Sequence, residues 1–175
     1  SPVIGLSRDD LEASTASTTA QFLSELPQVF NLGVTEASFS SANNANANVT
    51  LGTGINLRGL GTESTLTLLD GRRLPQAGTQ GQFFDPSVIP TTAIERIEVL
   101  ADGSSGIYGS DAVGGVVNIM LRRNYTGAEV FGRVSFSDGV EEYQAGGVIG
   151  DSWGSGSVMV AGEYGKRGAL LASEE

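Results

Sequence analysis

AIERIEVLADGSSGIYGSDAVGGVVNIMLRR, residues 93–123, reads as strand, glycine-rich turn, strand. Ile94, Ile97 and Val99 alternate with Glu95, Arg96 and Glu98, the pattern of a strand with one buried face. Gly103, Gly106, Gly109, Gly114 and Gly115 then punctuate a compact loop, and Val116 to Leu121 resumes as a nearly continuous apolar strand. Glycine at this density fits backbone that takes positive φ or runs close against another surface. Arg122 and Arg123 close the unit. What this loop packs against is the question that the rest of the chain must answer.

The bulk chemistry narrows the choices. The chain has 175 residues, 25 of them glycine, with 20 acidic and 10 basic side chains and a formal charge of −10. That balance argues against a nucleic-acid partner, because phosphate binding needs clustered Lys and Arg. Cysteine and histidine are absent, so disulfides, thiolate sites and imidazole chemistry are excluded. No run approaches the roughly 18 apolar residues of a membrane-spanning helix. Nor does the first segment show the basic-then-apolar pattern of a signal peptide. If the protein is exported, this numbering starts after processing or inside a longer chain.

Working outward to the N-terminal side, Val3 to Leu6 reads as a short strand. Ser7 followed by Asp10 is a helix-start signature, and Thr18 followed by Gln21 is a second, with Phe22, Leu23 and Leu26 on one helical face. Pro27 limits that helix. Both helices are short and need a surface to pack on. From Gly33 to Gly54 the chain turns polar, with Asn43, Asn44, Asn46 and Asn48 in a loop that has little to bury. INLRGL (55–60) and TLTLL (65–69) read as strands, the second ending in the turn signal Asp70-Gly71. Pro75 to Pro86 is another polar loop, carrying Phe83 and Phe84 at its end.

On the C-terminal side, Ala128, Val130, Gly132, Val134 and Phe136 alternate with Glu129, Phe131, Arg133, Ser135 and Ser137. Tyr143, Ala145 and Ile149 continue the alternation after an Asp138-Gly139 turn. Val158, Val160, Gly162 and Tyr164 do so again after a GDSWGSGS turn. Three such strands in series are the dyad signature of a transmembrane β-barrel wall. On the residues alone, a soluble antiparallel meander is the preferred account of the same pattern.

Enzymatic motifs fail on chemistry. Gly150-Asp151-Ser152-Trp153-Gly154 matches G-x-S-x-G, but without histidine there is no base for the serine, and a strand follows instead of a helix. Gly103-Ser104-Ser105-Gly106 lacks the glycine spacing, the following helix and the lysine of a phosphate-binding loop. Without His or Cys only carboxylate metal sites remain, and no EF-hand spacing appears. Paired-carboxylate acid–base work stays open, although the acidic residues sit mostly at strand-surface and turn positions. Arg58 and Arg96 lie most tightly among apolar neighbours. They read either as strand-face arginines covering apolar surface with their stems or as a buried ion pair docking the domain to a partner wall.

INLRGLGTESTLTLLDGRRL, IERIEV and SSGIYGSDAVGGVVNIMLRR together resemble the plug domain of TonB-dependent outer-membrane receptors. PVIGLSRDDLEAS and TTAQFLSELPQVF resemble the first strand and two helices of that plug. The likeness covers about residues 2–125 in order, and YGSDAVGGVVNI is its most specific part. It implies an α+β plug domain (1–125) with a small mixed sheet and two short helices. The first antiparallel strands of a transmembrane β-barrel would follow at 126–175, in a family whose barrels have about 22 strands around a plugged lumen. Three strands cannot close, so the chain is expected to be a fragment.

The same resemblance implies the function: TonB-energised uptake of a scarce solute (siderophore, cobalamin or glycan) across the outer membrane of a Gram-negative bacterium. Catalysis and cofactors have no part in it. Partners would be TonB, outer-membrane lipid against the barrel strands, and a small-molecule or glycan ligand. By position, Asn43, Asn44, Asn46, Gln80, Gln82, Phe83 and Phe84 fall on the ligand-facing loops. Arg58, Arg96, Tyr108, Gly109, Gly114 and Gly115 fall where plug meets barrel. Two departures stand out. The family's Arg-Gly-Pro after the IEV strand is replaced by Ala101, Asp102 and Gly103, and no TonB box is visible before the first strand. The competing function is a soluble binding or secretion-type module in which 126–175 forms a self-contained meander.

Overall fold

The structure, a computed structural model, describes residues 3–14, 16, 18–32, 52–76, 83–102, 104–137 and 140–167. They form two compact units: residues up to Ile89 together with Ile94–Leu121, and Pro90–Ala93 together with the chain from Arg122 onward.

In the first unit, β1 (Ile4–Leu6) leads into α1 (Arg8–Ala13). The expected capping box is present: Ser7 Oγ accepts from Asp10 N–H, and the Asp10 carboxylate accepts from Ser7 N–H at 2.8 Å. The Ser7 hydroxyl, which donates to the same carboxylate at 2.7 Å, and the Ser7 N–H together hold the Asp10 carboxyl below the usual carboxylate range. Thr18 caps α2 (Thr19–Ser24) by accepting from Gln21 N–H at 3.1 Å. The buried Thr19 hydroxyl donates to Ile89 C=O at 2.7 Å. Both helices are far too short to persist alone, and each lays apolar side chains on the core: Leu11 from α1, Ala20, Phe22 and Leu23 from α2.

A two-stranded ribbon of β2 (Val29–Asn31) and β3 (Asn56–Leu57) follows. The strand expected over 55–60 ends early, because Arg58 and Gly59 take positive φ (60° and 74°) and turn the chain away. β4 (Thr65–Leu69) and β5 (Arg72–Arg73) form a hairpin through Asp70 and Gly71, whose φ values of 50° and 76° suit a tight two-residue turn. β6 (Ile94–Leu100) and β7 (Gly115–Leu121) complete a five-stranded sheet of order β1-β6-β7-β4-β5. It is mixed, since β4 and β7 are parallel while the other pairs are antiparallel.

The register of β6 explains a phase slip in its sequence. Ile94 faces Leu121 while Arg96 already faces Met120, so Glu95 is the extra residue of a bulge. That insertion lets Ile94 and Ile97, three apart, share the buried face. Ile94, Ile97, Val99, Val117 and Ile119 are wholly buried there with the helices, while Leu66, Leu68, Ala112 and Val116 form a second cluster. Each of the Val, Leu and Ile side chains so removed from water contributes about 1.5–3 kcal/mol.

The glycine loop between β6 and β7 differs from the plain turn expected of it. It holds a single helical turn, α3 (Ser105–Tyr108), and a 3₁₀ turn at Ser110–Ala112. The surfaces that Gly114 and Gly115 approach closely belong to their own unit. A Cβ on Gly114 would lie 3.0 Å from Ser64 C=O, and one on Gly115, at φ 137°, would lie 2.5 Å from Leu100 C=O.

The second unit is an antiparallel meander of β8 (Gly127–Ser137), β9 (Val140–Trp153) and β10 (Gly156–Arg167). GDSWG is not a turn. Gly150 to Trp153 continue β9, paired with both neighbours or with β10, and only Gly154-Ser155 turn the chain. Val130, Val134, Phe136, Tyr143, Ile149, Val158, Val160 and Tyr164 are all exposed on one face. The opposite face carries Arg133, Gln144, Val148 and Glu163 in partly or fully buried positions. Among the described residues no helix is long and apolar enough to cross a membrane, which says nothing of crossing with strands.

Candidate functional site

The first unit contains a cavity of about 390 Å³ lined by β4, the segment after β5, the Phe83-Phe84 pair and Asp111. Its polar groups are the Glu63 and Asp111 carboxylates, the Arg73 guanidinium, the Gln76 amide and the Thr65 and Thr67 side chains. Phe83 and Phe84 line it too, and each also has a packing role. Phe83 lies on a ledge that lacks side chains: a Cβ on Gly52 or Gly54 would come within 3.1 or 2.9 Å of its ring. Phe84 packs against the main core. The aromatic pair is therefore held from behind.

Arg73 organises the cavity edge. The Asp70-Gly71 turn brings it back across β4, and its Nη1 pairs with Asp111 Oδ2 at 2.5 Å while Nη2 donates to Tyr108 C=O. The guanidinium on Asp111, with the Ser110 hydroxyl behind it, holds that carboxyl below its usual range. Arg73 thus ties the strand hairpin to the loop containing α3. Sequence reasoning passed over it, because the pairing with Asp111 spans residues far apart in the chain. The loop it braces presents Ile107 and, partly, Tyr108 to the outside, with Gly109 at φ 92° ending α3.

The other nominated residues are placed as follows. Asn43, Asn44, Asn46, Gln80 and Gln82 lie outside the described residues. Arg58 is exposed at the turn after β3, and its N–H donates to Gln28 C=O. Arg96 is half-exposed and pairs with Glu98 on its own strand at 2.9 Å, which lowers the Glu98 carboxyl's pKa. Among the described residues neither forms a buried ion pair. Arg122, whose side chain is 9% exposed, instead pairs within the second unit with the 40% exposed Glu129 at 2.8 Å and lies 4.8 Å over the Tyr125 ring. The Arg122–Tyr125 spacing beside a strand end was the available signal.

No group of three or more metal-binding side chains occurs among the described residues. Carboxylates, one guanidinium, an amide and two aromatic edges around an open cavity are equipped to hold a polar ligand and lack an activated nucleophile.

The family model for the TonB-dependent receptor plug domain matches residues 1–116. The iron-regulated outer membrane virulence protein of Vibrio cholerae is 34% identical over 147 residues, covering 81% of this chain. The chain spans about one fifth (20%) of that curated relative's length. The siderophore receptor PirA from Acinetobacter baumannii superposes with a TM-score of 0.67 at 25% identity, over 94% of this chain and 24% of that one. The ferric citrate transporter FecA, in its unliganded form, shares the fold (TM-score 0.68) at 20% identity, over 94% of this chain and 25% of its own.

Proposed function

Because the chain belongs to the TonB-dependent receptor plug domain family, we propose that it is the plug and the first wall strands of an outer-membrane receptor that takes up an iron–siderophore complex with energy from TonB. Residues 1–125 are the plug and 126–175 the start of the barrel. The observation that carries this reading is the succession of two kinds of sheet. A five-stranded sheet covered by its own helices is followed by a meander whose apolar side chains point outward. Such a face is stable against hydrocarbon and disfavoured in water, which supports a place in the outer-membrane barrel over a soluble meander. Receptors of this kind are not enzymes.

The solute class rests on relatives named for iron regulation, siderophore reception and ferric citrate transport. Asn43, Asn44, Asn46, Gln80, Gln82, Phe83 and Phe84 form the ligand-facing group, with the cavity beside Arg73 beneath the aromatic pair. Arg58, Arg96, Tyr108 and Gly109 meet the barrel.

The test is uptake by cells carrying the full-length receptor, with labelled ferric siderophores, ferric citrate and cobalamin offered in turn. TonB-dependent uptake of a ferric chelate, weakened by Phe83→Ala/Phe84→Ala, is the expected result. Uptake of cobalamin alone, or uptake unchanged in cells without TonB, would overturn the reading.

A further inference from the structure

One row across the second unit sets Phe131, Gly146 and Glu163 side by side, since Gly146 is the register partner of both. The missing side chain at Gly146 leaves a gap that its neighbours lean into. A Cβ there would lie 2.5 Å from Phe131 Cε1 and 2.8 Å from Glu163 Cγ. The Glu163 carboxylate reaches the 3₁₀ turn Thr91–Ala93 of the same unit. Thr91 donates its hydroxyl to Glu163 Oε1, and Thr92 N–H donates to the same oxygen at 3.3 Å. The Thr92 hydroxyl donates to Gly147 C=O at 3.5 Å. Thr92 is 2% and Ala93 5% exposed. The turn is closed by Ala93 N–H to Pro90 C=O and tied to the start of the strand region by Arg122 N–H to Ala93 C=O, at 3.0 and 2.9 Å.

We propose that Glu163 is a positioning residue: with the gap at Gly146 it forms a socket that fixes Pro90–Ala93 to β9 and β10, and it works as a two-bond acceptor. One β9 carbonyl, Gly147 C=O, takes the Thr92 hydroxyl, while the Thr91 hydroxyl and the Thr92 N–H both go to the Glu163 carboxylate. A carboxylate on a long side chain, freed to swing by a glycine beside it, can accept both donors at once. The proposal goes beyond the receptor reading. It says where the chain before β6 is held, whatever solute the receptor carries.

Hydrogen exchange of the full-length receptor in detergent tests it without any ligand, so its outcome is independent of the uptake assay. Glu163→Ala should raise exchange at Thr92 and Ala93 about tenfold, the loss of one charge-assisted bond. Glu163→Gln keeps the acceptor oxygen and should stay within about twofold of the parent. Thr91→Val removes one donor from the other side and should raise exchange in the same two amides, which keeps the test alive if Glu163→Ala fails to assemble. The socket is overturned if neither Glu163→Ala nor Thr91→Val changes those amides. It is equally overturned if Glu163→Gln behaves like Glu163→Ala, or if all of β9 and β10 exchanges faster to the same degree.

Discussion

β7 and β9 are both strands of alternating or continuous apolar character, and they are solvated in opposite senses. In β7, Val117 and Ile119 are wholly buried beneath the helices. In β9, Ile149 is 59% exposed while Gln144, on the other face, is only 8% exposed. The first sheet carries its own cover, in α1, α2 and the ribbon. The second turns most of its large apolar side chains outward, with Val148 buried on the other face. The same two-residue period thus serves a self-covered core in one place and an uncovered apolar face in the other, and the proposed receptor reading supplies lipid as the medium for the second.

Substitutions on matching apolar positions should break or sharpen that contrast. Ile119→Ala in β7 should cost about 2–5 kcal/mol of local stability, read as faster amide exchange across β6 and β7. A cost well under 1 kcal/mol would mean that the first unit is not a self-covered core. Val160→Arg on the outer face of β10 should cost about 2–4 kcal/mol when the full receptor is refolded into bilayers. If the change stays within about 0.5 kcal/mol, as for an ordinary water-exposed site, the face does not meet lipid.

The smallest expected effect concerns acid. Asp111's folded-state pKa lies below its unfolded value, so the stability it adds through Arg73 is present above the ordinary carboxylate range. It is lost as pH falls through the folded value. Exchange in residues 104–114 should therefore rise on acidification below about pH 4, and Arg73→Gln should remove that step without touching β8–β10.

Local chemistry was readable in the sequence, and long-range geometry was not. Ser7 with Asp10, Thr18 with Gln21, and Asp70-Gly71 each act within four residues, and each appears as expected. The alternation of β8 to β10 fixes which side chains share a face, but not which medium the face meets. The bulge at Glu95, the parallel partnership of β4 and β7, the Arg73–Asp111 brace and the Arg122–Glu129 pair depend on where separate segments meet. Glycine was ambiguous for a related reason. At Gly114 and Gly115 it answers backbone of the same unit, at Gly52 and Gly54 a phenylalanine ring, and at Gly146 a phenylalanine ring together with a glutamate stem. Composition alone does not separate these cases.

The edge position of β1 has a kinetic consequence. Its three residues pair only with Ile97–Val99, more than ninety positions later in the chain. Closing so long a loop costs entropy that three ladder pairs return only after β6 and β7 are in place. A chain delivered from its N-terminus must therefore carry Ile4–Leu6 unpaired while almost a hundred residues follow. In the finished sheet this strand is the last to be zipped and the first to fray.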